Sequence, residues 1–225
     1  MKISLSRLAP AVITLLAILA LSPFAQAQKE IPPPQGKGRV VVVASGASGP
    51  EHYETVSRAI AQLGYDVVLF DGNAMEGTRG AALKTAIDQA QQMPHALPGK
   101  VGLVGFSLGG AISLGFGSLW PDQVAVDIVW YPATSVFKDI PSFVAKMKVP
   151  VLMFAGESDK YKDCCLIGTA HALADAAAAA KQPFELVTYP KTDHDFVDGG
   201  RNYNPQSYKD ALDRTAAKLK EFLGN

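Results

Sequence analysis

Residues 100–116, KVGLVGFSLGGAISLGF, place one hydroxyl group where a predicted strand turns into a predicted helix. The hydroxyl belongs to Ser107, which lies two residues from Gly105 and two from Gly109, so the stretch fits G-x-S-x-G. Small residues on both sides let the strand and the helix pass close together, and the hydroxyl then stands near the helix amino end. A turn that only reversed the chain would need no serine. The stretch therefore predicts a nucleophile, with a glycine-rich packing turn as the alternative.

Short β-branched runs alternate with helical patterns on both sides of this turn. Several runs are apolar almost throughout, as strands covered on both faces are. The predicted strands are residues 39–45, 66–71, 100–106, 125–131, 149–155 and 184–189. The predicted helices are residues 51–63, 80–93, 108–120, 165–181 and 205–223. This alternation predicts an α/β fold with a mostly parallel sheet, helices on both faces and a ligand site beyond the strands' carboxyl ends.

The first 27 residues differ in composition from the rest of the chain. Lys2 and Arg7 precede an apolar run over residues 11–21, and an Ala-Gln-Ala box ends at Ala27. This order is typical of a secretory signal peptide, and the apolar part is too short to span a bilayer stably. We therefore expect cleavage after Ala27, a periplasmic or secreted protein and no stable membrane anchor; an uncleaved anchor is the alternative.

The remaining chain is predicted to hold one domain. Residues 28–38 are a Pro/Gly-rich leader that we expect to be extended and exposed, and residues 39–225 form the domain. The 21 basic and 21 acidic side chains give a formal net charge of zero. A neutral chain has no electrostatic footprint for nucleic acid or for an anionic membrane surface, so neither partner is expected.

The two cysteines, Cys164 and Cys165, are adjacent. Neighbouring cysteines can pair only through a strained eight-membered ring, so we expect two free thiols. A vicinal disulfide in an oxidising compartment stays open as the alternative. Because the chain has no CxxC pattern and no cluster of cysteine and histidine, no structural zinc site is predicted.

A serine hydroxyl needs a base to take its proton at neutral pH. In this fold class the partners follow in the order serine, acid, histidine, which leaves His171 and His194 of the four histidines. His171 lies within a predicted helix, where a structural histidine is the simpler interpretation. His194 follows the strand over residues 184–189, on a loop where catalytic residues collect. We predict that His194 is the base; a solvated loop histidine is the alternative.

The acid should follow the preceding strand. The segment VLMFAGESDKY, residues 151–161, offers Glu157 and Asp159. Asp159 is the predicted acid, with Glu157 as the alternative. Its role would be to hold the imidazole in one tautomer and to stabilise the imidazolium.

An oxyanion hole would complete the site. The backbone N–H of Leu108, directly after the serine, should supply one donor. The turn over residues 46–49, after the first predicted strand, should supply the second through the N–H of Ala47. An ordinary glycine turn is the alternative there.

At this point the sequence resembles the dienelactone hydrolase family, which has the α/β-hydrolase fold. The stretch GKVGLVGFSLGGAI (residues 99–112) is similar to the nucleophile turn of that family. GYDVVLFD (64–71), GESD (156–159) and YPKTDHDF (189–196) fall in the family's order and spacing. The resemblance covers nearly all of residues 39–223. It implies a catalytic triad of Ser107, Asp159 and His194, with Leu108 and Ala47 as oxyanion donors.

Three departures from the family pattern bear on the substrate. The founding enzymes carry cysteine in place of Ser107 and, in place of Gly46, a glutamate that manages the thiol. The two changes agree, since a serine has no use for that glutamate. An arginine that binds the substrate carboxylate in those enzymes corresponds here to Asp198. The resemblance therefore implies that an anionic lactone is a poor substrate, because Asp198 would repel it.

Together these features predict an exported serine hydrolase of small carboxylic esters or lactones, working through an acyl-enzyme on Ser107. No metal and no organic cofactor is predicted. Residues 133–148 are too short for a large cap domain, so we expect an open site. A peptidase of the same fold and a non-catalytic exported binding protein are the alternatives. Four aromatic residues are candidate pocket walls, although core packing is the simpler role for each: Phe106, Tyr131, Tyr161 and Phe196.

Overall fold

The computed structural model describes residues 28–224; the predicted signal peptide, residues 1–27, lies outside the described residues. A seven-stranded sheet in the order β1-β3-β2-β4-β5-β6-β7 forms its centre. The strands are β1 Gln28–Ile31, β2 Gly38–Ala44, β3 Asp66–Phe70, β4 Ala96–Phe106, β5 Val124–Trp130, β6 Val151–Gly156 and β7 Phe184–Tyr189. All neighbouring pairs among the strands β2 to β7 are parallel. Strand β1 pairs antiparallel with β3. The prediction of a mostly parallel sheet is confirmed.

Helices cover both faces of this sheet. They are α1 Glu54–Ala61, α2 Gly72–Met75, α3 Ala81–Ala90, α4 Ser107–Phe116, α5 Ile140–Val144, α6 Ile167–Ala179 and α7 Pro205–Leu223. Short 3-10 turns lie at Pro50–Tyr53, Gly117–Leu119, Thr134–Val136 and Tyr161–Asp163. Apolar side chains of α1 and α7 pack on one face, and those of α3 to α6 pack on the other. Every residue of β3 and β6 is buried, because both faces of these strands are covered.

The structure corrects the predicted leader. Gln28–Ile31 is a strand at the sheet edge, and the side chain of Ile31 is 5% exposed within the core. The open hydrogen-bonding edge of β3 accepts this segment, with Ile31 opposite Val67. Prolines 32 to 34 follow directly, and proline cannot donate to a ladder, so the strand ends there. The segment is extended as expected and Lys29 is exposed, but the expectation of exposure was wrong for Ile31.

The connection between β5 and β6 is short, as predicted. It holds a 3-10 turn, Thr134–Val136, and the small helix α5. Over residues 28–224, no helix is both long enough and apolar enough to cross a bilayer.

Candidate active site

The turn around Ser107 is built for close approach of strand and helix. Ser107 has a left-handed backbone, with φ 48°, directly after β4 and at the start of α4. A β-carbon on Gly105 would lie 2.6 Å from the α-carbon of Gly110, and one on Gly109 would overlap the carbonyl oxygen of Ala44. Bulkier residues would force the helix away from the sheet. The glycines therefore hold Ser107 at the carboxyl end of β4, as the sequence predicted.

Ser107, His194 and Asp159 lie in one hydrogen-bonded line. The distance from His194 Nε2 to Ser107 Oγ is 3.0 Å, and His194 Nδ1 lies 2.7 Å from Asp159 Oδ2. With its proton on Nδ1, the neutral imidazole donates to the carboxylate and accepts from the serine hydroxyl. The three residues are 8%, 5% and 2% exposed, so water screens these contacts little. The structure thus brings all three predicted residues together.

The acid is fixed by the turn after β6. The second oxygen of Asp159 accepts a hydrogen bond from the backbone N–H of Tyr161 at 3.0 Å. Glu157, the alternative acid, is exposed and accepts a hydrogen bond from the Thr188 hydroxyl at 2.9 Å. Glu157 is therefore outside the line of contacts that includes Ser107.

Two aromatic rings pack on the imidazole of His194, and one amide bonds its backbone. The ring of Tyr161 stacks on it with centroids 4.6 Å apart and planes 5° apart, and Tyr131 meets it edge-on at 4.8 Å. The side-chain amide of Asn202 donates to the His194 carbonyl at 2.7 Å. His171 is exposed on α6, as expected for a structural histidine. The orientation of the His194 ring is thus fixed by packing from two sides.

The two predicted oxyanion donors lie on neighbouring strand ends. Leu108 is in the first turn of α4, where the helix offers no carbonyl for its backbone N–H. Ala47 lies in the turn after β2, which is next to β4 in the sheet, and it lines the pocket with Ser107. Within residues 28–224, the N–H of Ala47 has no hydrogen-bond acceptor. Both groups can therefore donate to an oxygen beside Ser107.

A small cleft of about 40 Å³ lies in front of Ser107. It is lined by Ala47, Ser48, Tyr53, Ser107, Tyr161, His194, Asp195, Arg201 and Asn202. Of the aromatic residues considered from the sequence, Tyr161 lines the cleft, whereas Phe106 and Phe196 are buried in the core. Nothing in the sequence indicates that Tyr53 lines the cleft, because no pattern in it places the 3-10 turn before α1 beside Ser107.

A polar network lies behind the cleft and is centred on Asp195. Its carboxylate accepts hydrogen bonds from His52 Nε2 at 2.9 Å, from the Tyr131 hydroxyl at 3.4 Å and from the backbone N–H of Arg201 at 3.0 Å. Burial, and then the Asp195 charge, raise the pKa of Tyr53 well above its usual value, and burial does the same for Tyr131. Both phenols therefore stay neutral, and the Tyr131 hydroxyl keeps the proton that it donates to Asp195.

The Tyr53 hydroxyl explains why residue 46 is glycine. A β-carbon on Gly46 would overlap that hydroxyl and lie 3.1 Å from the β-carbon of Ser107. No larger side chain fits there while Tyr53 keeps its position. The departure from the family's glutamate at this place is thus a packing property of this chain.

The structure places Asp198 differently from the expectation. Asp198 is absent from the residues that line the cleft, whereas Arg201 lines it. The charge of Asp198 acts instead on Tyr208, where burial and then this carboxylate raise the phenol pKa to about 12. The repulsion of an anionic substrate by Asp198 therefore stays a prediction, and it would act from outside the lining of the cleft.

The two cysteines are bonded to each other, so the expectation of free thiols was wrong. Neighbouring elements fix the turn that carries the two cysteines. An argument from ring strain alone does not include this constraint. The backbone N–H of Ser135 donates to the Cys164 carbonyl at 2.8 Å, and Cys165 is 4% exposed. The Cys165 sulfur lies within 4.8 Å of the Asp159 and His194 ligand atoms. Since that sulfur is in a disulfide and the other two groups bond each other, these residues offer no free set of metal ligands.

Comparison with known proteins agrees with this architecture. The model of the dienelactone hydrolase family matches residues 69–223. The curated protein "Protein usf" of Aquifex pyrophilus is 25% identical over 147 residues, which are 64% of this chain and 60% of that protein. The match therefore spans less than two thirds of that relative.

Two solved structures share the fold. A protein of Klebsiella pneumoniae, provisionally assigned as a dienelactone hydrolase, superposes with a TM-score of 0.72 at 22% identity, over 84% of this chain and 90% of that chain. Esterase 2 of Thermogutta terrifontis, phosphorylated by paraoxon, gives 0.71 at 17% identity, over 88% and 89%. At these identities the likeness establishes the α/β-hydrolase fold.

Proposed function

The chain belongs to the dienelactone hydrolase family, and from this premise we propose that it is an exported serine hydrolase of small carboxylic esters or lactones. The observation that carries the proposal is the line of contacts at 3.0 Å and 2.7 Å from Ser107 through His194 to Asp159. A buried serine in such a line meets the requirements of an activated nucleophile.

In the first half-reaction the Ser107 oxygen attacks the ester carbonyl carbon. His194 Nε2 takes the hydroxyl proton, and Asp159 stabilises the imidazolium through the hydrogen bond to Nδ1. The bond to the leaving alkoxide then breaks, and the proton on Nε2 passes to that oxygen. The products are an alcohol and an acyl group on Ser107; for a lactone the alcohol stays on the same molecule.

In the second half-reaction water replaces the alcohol. His194 takes a proton from water, whose oxygen attacks the acyl carbon, and the proton then returns to the Ser107 oxygen as the acyl bond breaks. Both half-reactions pass through a tetrahedral oxyanion. The backbone N–H groups of Leu108 and Ala47 are the proposed donors to this oxygen, helped by the amino end of α4.

Substrate size is proposed from the form of the cleft. The cleft, of about 40 Å³, is bordered by Tyr161 and by the turn of Ala47 and Ser48. The short connection between β5 and β6 leaves little chain to cover a long acyl group. Short esters and small lactones therefore fit better than lipids or folded peptides.

A fluorophosphonate probe separates catalysis from binding alone. We expect it to label the native protein, as an organophosphate modifies the structurally similar esterase, and to leave Ser107→Ala unlabelled. A folded native protein that resists the probe and turns over no ester would support the non-catalytic alternative. Comparing p-nitrophenyl acetate with an aminoacyl anilide then separates esterase from peptidase; faster cleavage of the anilide would favour the peptidase.

Export is proposed from the sequence of residues 1–27 alone. The charged start, the apolar run and the Ala-Gln-Ala box are the supporting features. Expression of the full chain in a Gram-negative host tests this. We expect periplasmic protein whose first residue, by mass spectrometry, is Gln28; uncut protein in the membrane fraction would support the anchor alternative.

A further inference from the structure

Three ligand-type side chains meet at the end of the sheet opposite Ser107. Their ligand atoms, one each from Glu30, Asp66 and His95, lie within 4.8 Å of one another. His95 Nδ1 is 3.0 Å from a carboxylate oxygen of Glu30, and the same oxygen accepts from the His95 backbone N–H at 3.3 Å. The cluster plays no part in the proposed hydrolysis.

The fold holds these residues from three different elements. Glu30 is on β1 opposite Val68, and residues two apart on β3 share a face, so Glu30 and Asp66 lie on the same side of the sheet. His95 directly precedes β4, and its carbonyl accepts from the Gly38 backbone N–H at 2.9 Å. Since β2 separates β3 from β4, the cluster straddles the amino ends of three neighbouring strands.

Asp66 is the anomaly in this cluster. Its side chain is 0% exposed, and neither carboxylate oxygen has a hydrogen-bond partner within the described residues. Buried carboxylates are normally paired or bound to a metal, because an unpaired carboxylate loses its hydration on burial and gains no interaction in its place. The Asp66 carboxylate is therefore buried with no hydrogen-bond donor beside it in the described part of the chain.

We propose that Glu30, Asp66 and His95 bind one divalent transition-metal ion, of which Zn²⁺ is the best match. An imidazole nitrogen with two carboxylate oxygens suits Zn²⁺, whereas Mg²⁺ and Ca²⁺ prefer oxygen ligands throughout. Tetrahedral Zn²⁺ holds its donors about 3.4 Å apart, close to the present spacing of His95 and Glu30. The His95 side chain is 44% exposed, which leaves a route for the ion and for a water ligand.

Charge balance also favours a divalent ion. Two carboxylates and a neutral imidazole carry a charge of minus two, which one divalent ion neutralises. Metal binding at Nδ1 requires the tautomer of His95 with its proton on Nε2, so the contact between Nδ1 and Glu30 is replaced by two bonds to the ion. Because Glu30 is on the edge strand β1, the ion would fasten this terminal strand to β3 and β4.

Calorimetry and thermal unfolding test the site. The untagged protein is stripped with a chelator and titrated with ZnCl₂. We expect one Zn²⁺ per chain, a higher unfolding temperature and at least about tenfold weaker binding in Asp66→Asn and in His95→Gln. His171→Gln, which changes an exposed histidine on α6, is the matched control and should bind as the native protein does.

Two results would overturn the proposal. One is the absence of a Zn²⁺-dependent rise in unfolding temperature, which means that Asp66 and Glu30 share a proton only. The other is binding that survives His95→Gln and disappears in His194→Gln, which places the ion at the triad. Circular dichroism of each variant checks folding. Because Asp66→Asn is isosteric and removes a buried charge, we expect it to fold.

Discussion

The two ends of the sheet each bring a histidine and an acidic side chain together, and they differ in how the buried acid is satisfied. At the carboxyl end, Asp159 bonds both His194 and a backbone N–H. At the amino end, Asp66 is buried without a hydrogen-bond partner in the described part of the chain. A fully satisfied acid can orient a base, whereas an unsatisfied one attracts a cation or a proton. Similar residues therefore have different properties at the two ends of the sheet, because their contacts differ.

Replacing Ser107 should have the largest effect on the carboxyl end. Ser107→Ala removes the attacking oxygen, so we expect kcat for p-nitrophenyl acetate to fall by at least about 10⁴-fold. The unfolding temperature should change little. Ser113→Ala, a buried serine of the same helix, is the control. Activity within tenfold of the native level in Ser107→Ala would show that another residue performs the attack.

The two buried acids should respond differently to the same isosteric change. Asp159→Asn leaves His194 in the wrong tautomer, so we expect kcat to fall about 10³-fold to 10⁴-fold. Asp66→Asn should change kcat by less than about twofold, since it is remote from Ser107. Steady-state kinetics of both variants, with Glu157→Gln as a further control, makes the comparison. Equal losses in the two variants would remove the functional distinction between the ends.

A third buried acid allows the comparison to be extended to pH. Burial raises the pKa of Asp127, on β5, to about 7. The native state therefore binds a proton that the unfolded state releases near pH 4, and stability falls as pH rises from about 4 to about 7, by at most about 1.4 kcal/mol per unit. Asp127→Asn should lose this dependence, so its stability relative to the native protein should rise over that range. Urea unfolding at pH 5 and pH 8 measures this; a constant difference would show that Asp127 keeps its usual pKa.

The contact between Gly46 and Tyr53 predicts a smaller effect. Gly46→Ala places a methyl group against the Tyr53 hydroxyl, and we expect a loss of about 1–3 kcal/mol in stability together with slower turnover. Removing that hydroxyl in the double variant with Tyr53→Phe should restore part of both. Denaturant midpoints and kcat of the four proteins provide the test. If the double variant is no better than Gly46→Ala, the clash lies elsewhere.

Replacing Tyr161 should lower kcat less than replacing Ser107 or Asp159 does. Tyr161→Leu removes the ring stacked on His194 but keeps the backbone N–H that donates to Asp159. We expect kcat to fall by only about threefold to tenfold, consistent with an aromatic contact of about 0.5–1.5 kcal/mol. A loss as large as that in Asp159→Asn would give Tyr161 a direct role in the chemistry.

Much of the fold, and the three residues of the line from Ser107 through His194 to Asp159, could be predicted from the sequence. Apolar β-branched runs located the six parallel strands. The G-x-S-x-G motif around Ser107 is contiguous and so was visible in the sequence, although Gly109 packs on Ala44 of β2. The order serine, acid, histidine then selected Asp159 and His194, because β6 and β7 end at the same edge of the sheet as β4. Such residues follow strand ends, and a parallel sheet aligns those ends at one edge.

Features that depend on contacts distant in sequence could not be predicted. Strand β1 looks like a linker because only the open edge of β3 makes it a strand. Tyr53 and Arg201 reach the cleft through loop paths that no periodicity encodes. The Cys164–Cys165 disulfide depends on a turn fixed by neighbouring elements, and Asp66 meets His95 only across β2. Each of these is a property of tertiary packing.

The central claim is that the Ser107 hydroxyl, activated by His194, carries the acyl group. Rapid quenching during turnover of p-nitrophenyl acetate, followed by peptide mass spectrometry, tests it most directly. The account predicts an acetyl group on Ser107 in the native protein and none there in His194→Ala. Two results would contradict it. One is turnover with the acetyl group on a different residue, and the other is turnover with no acyl-enzyme even when hydrolysis of that intermediate is slowed.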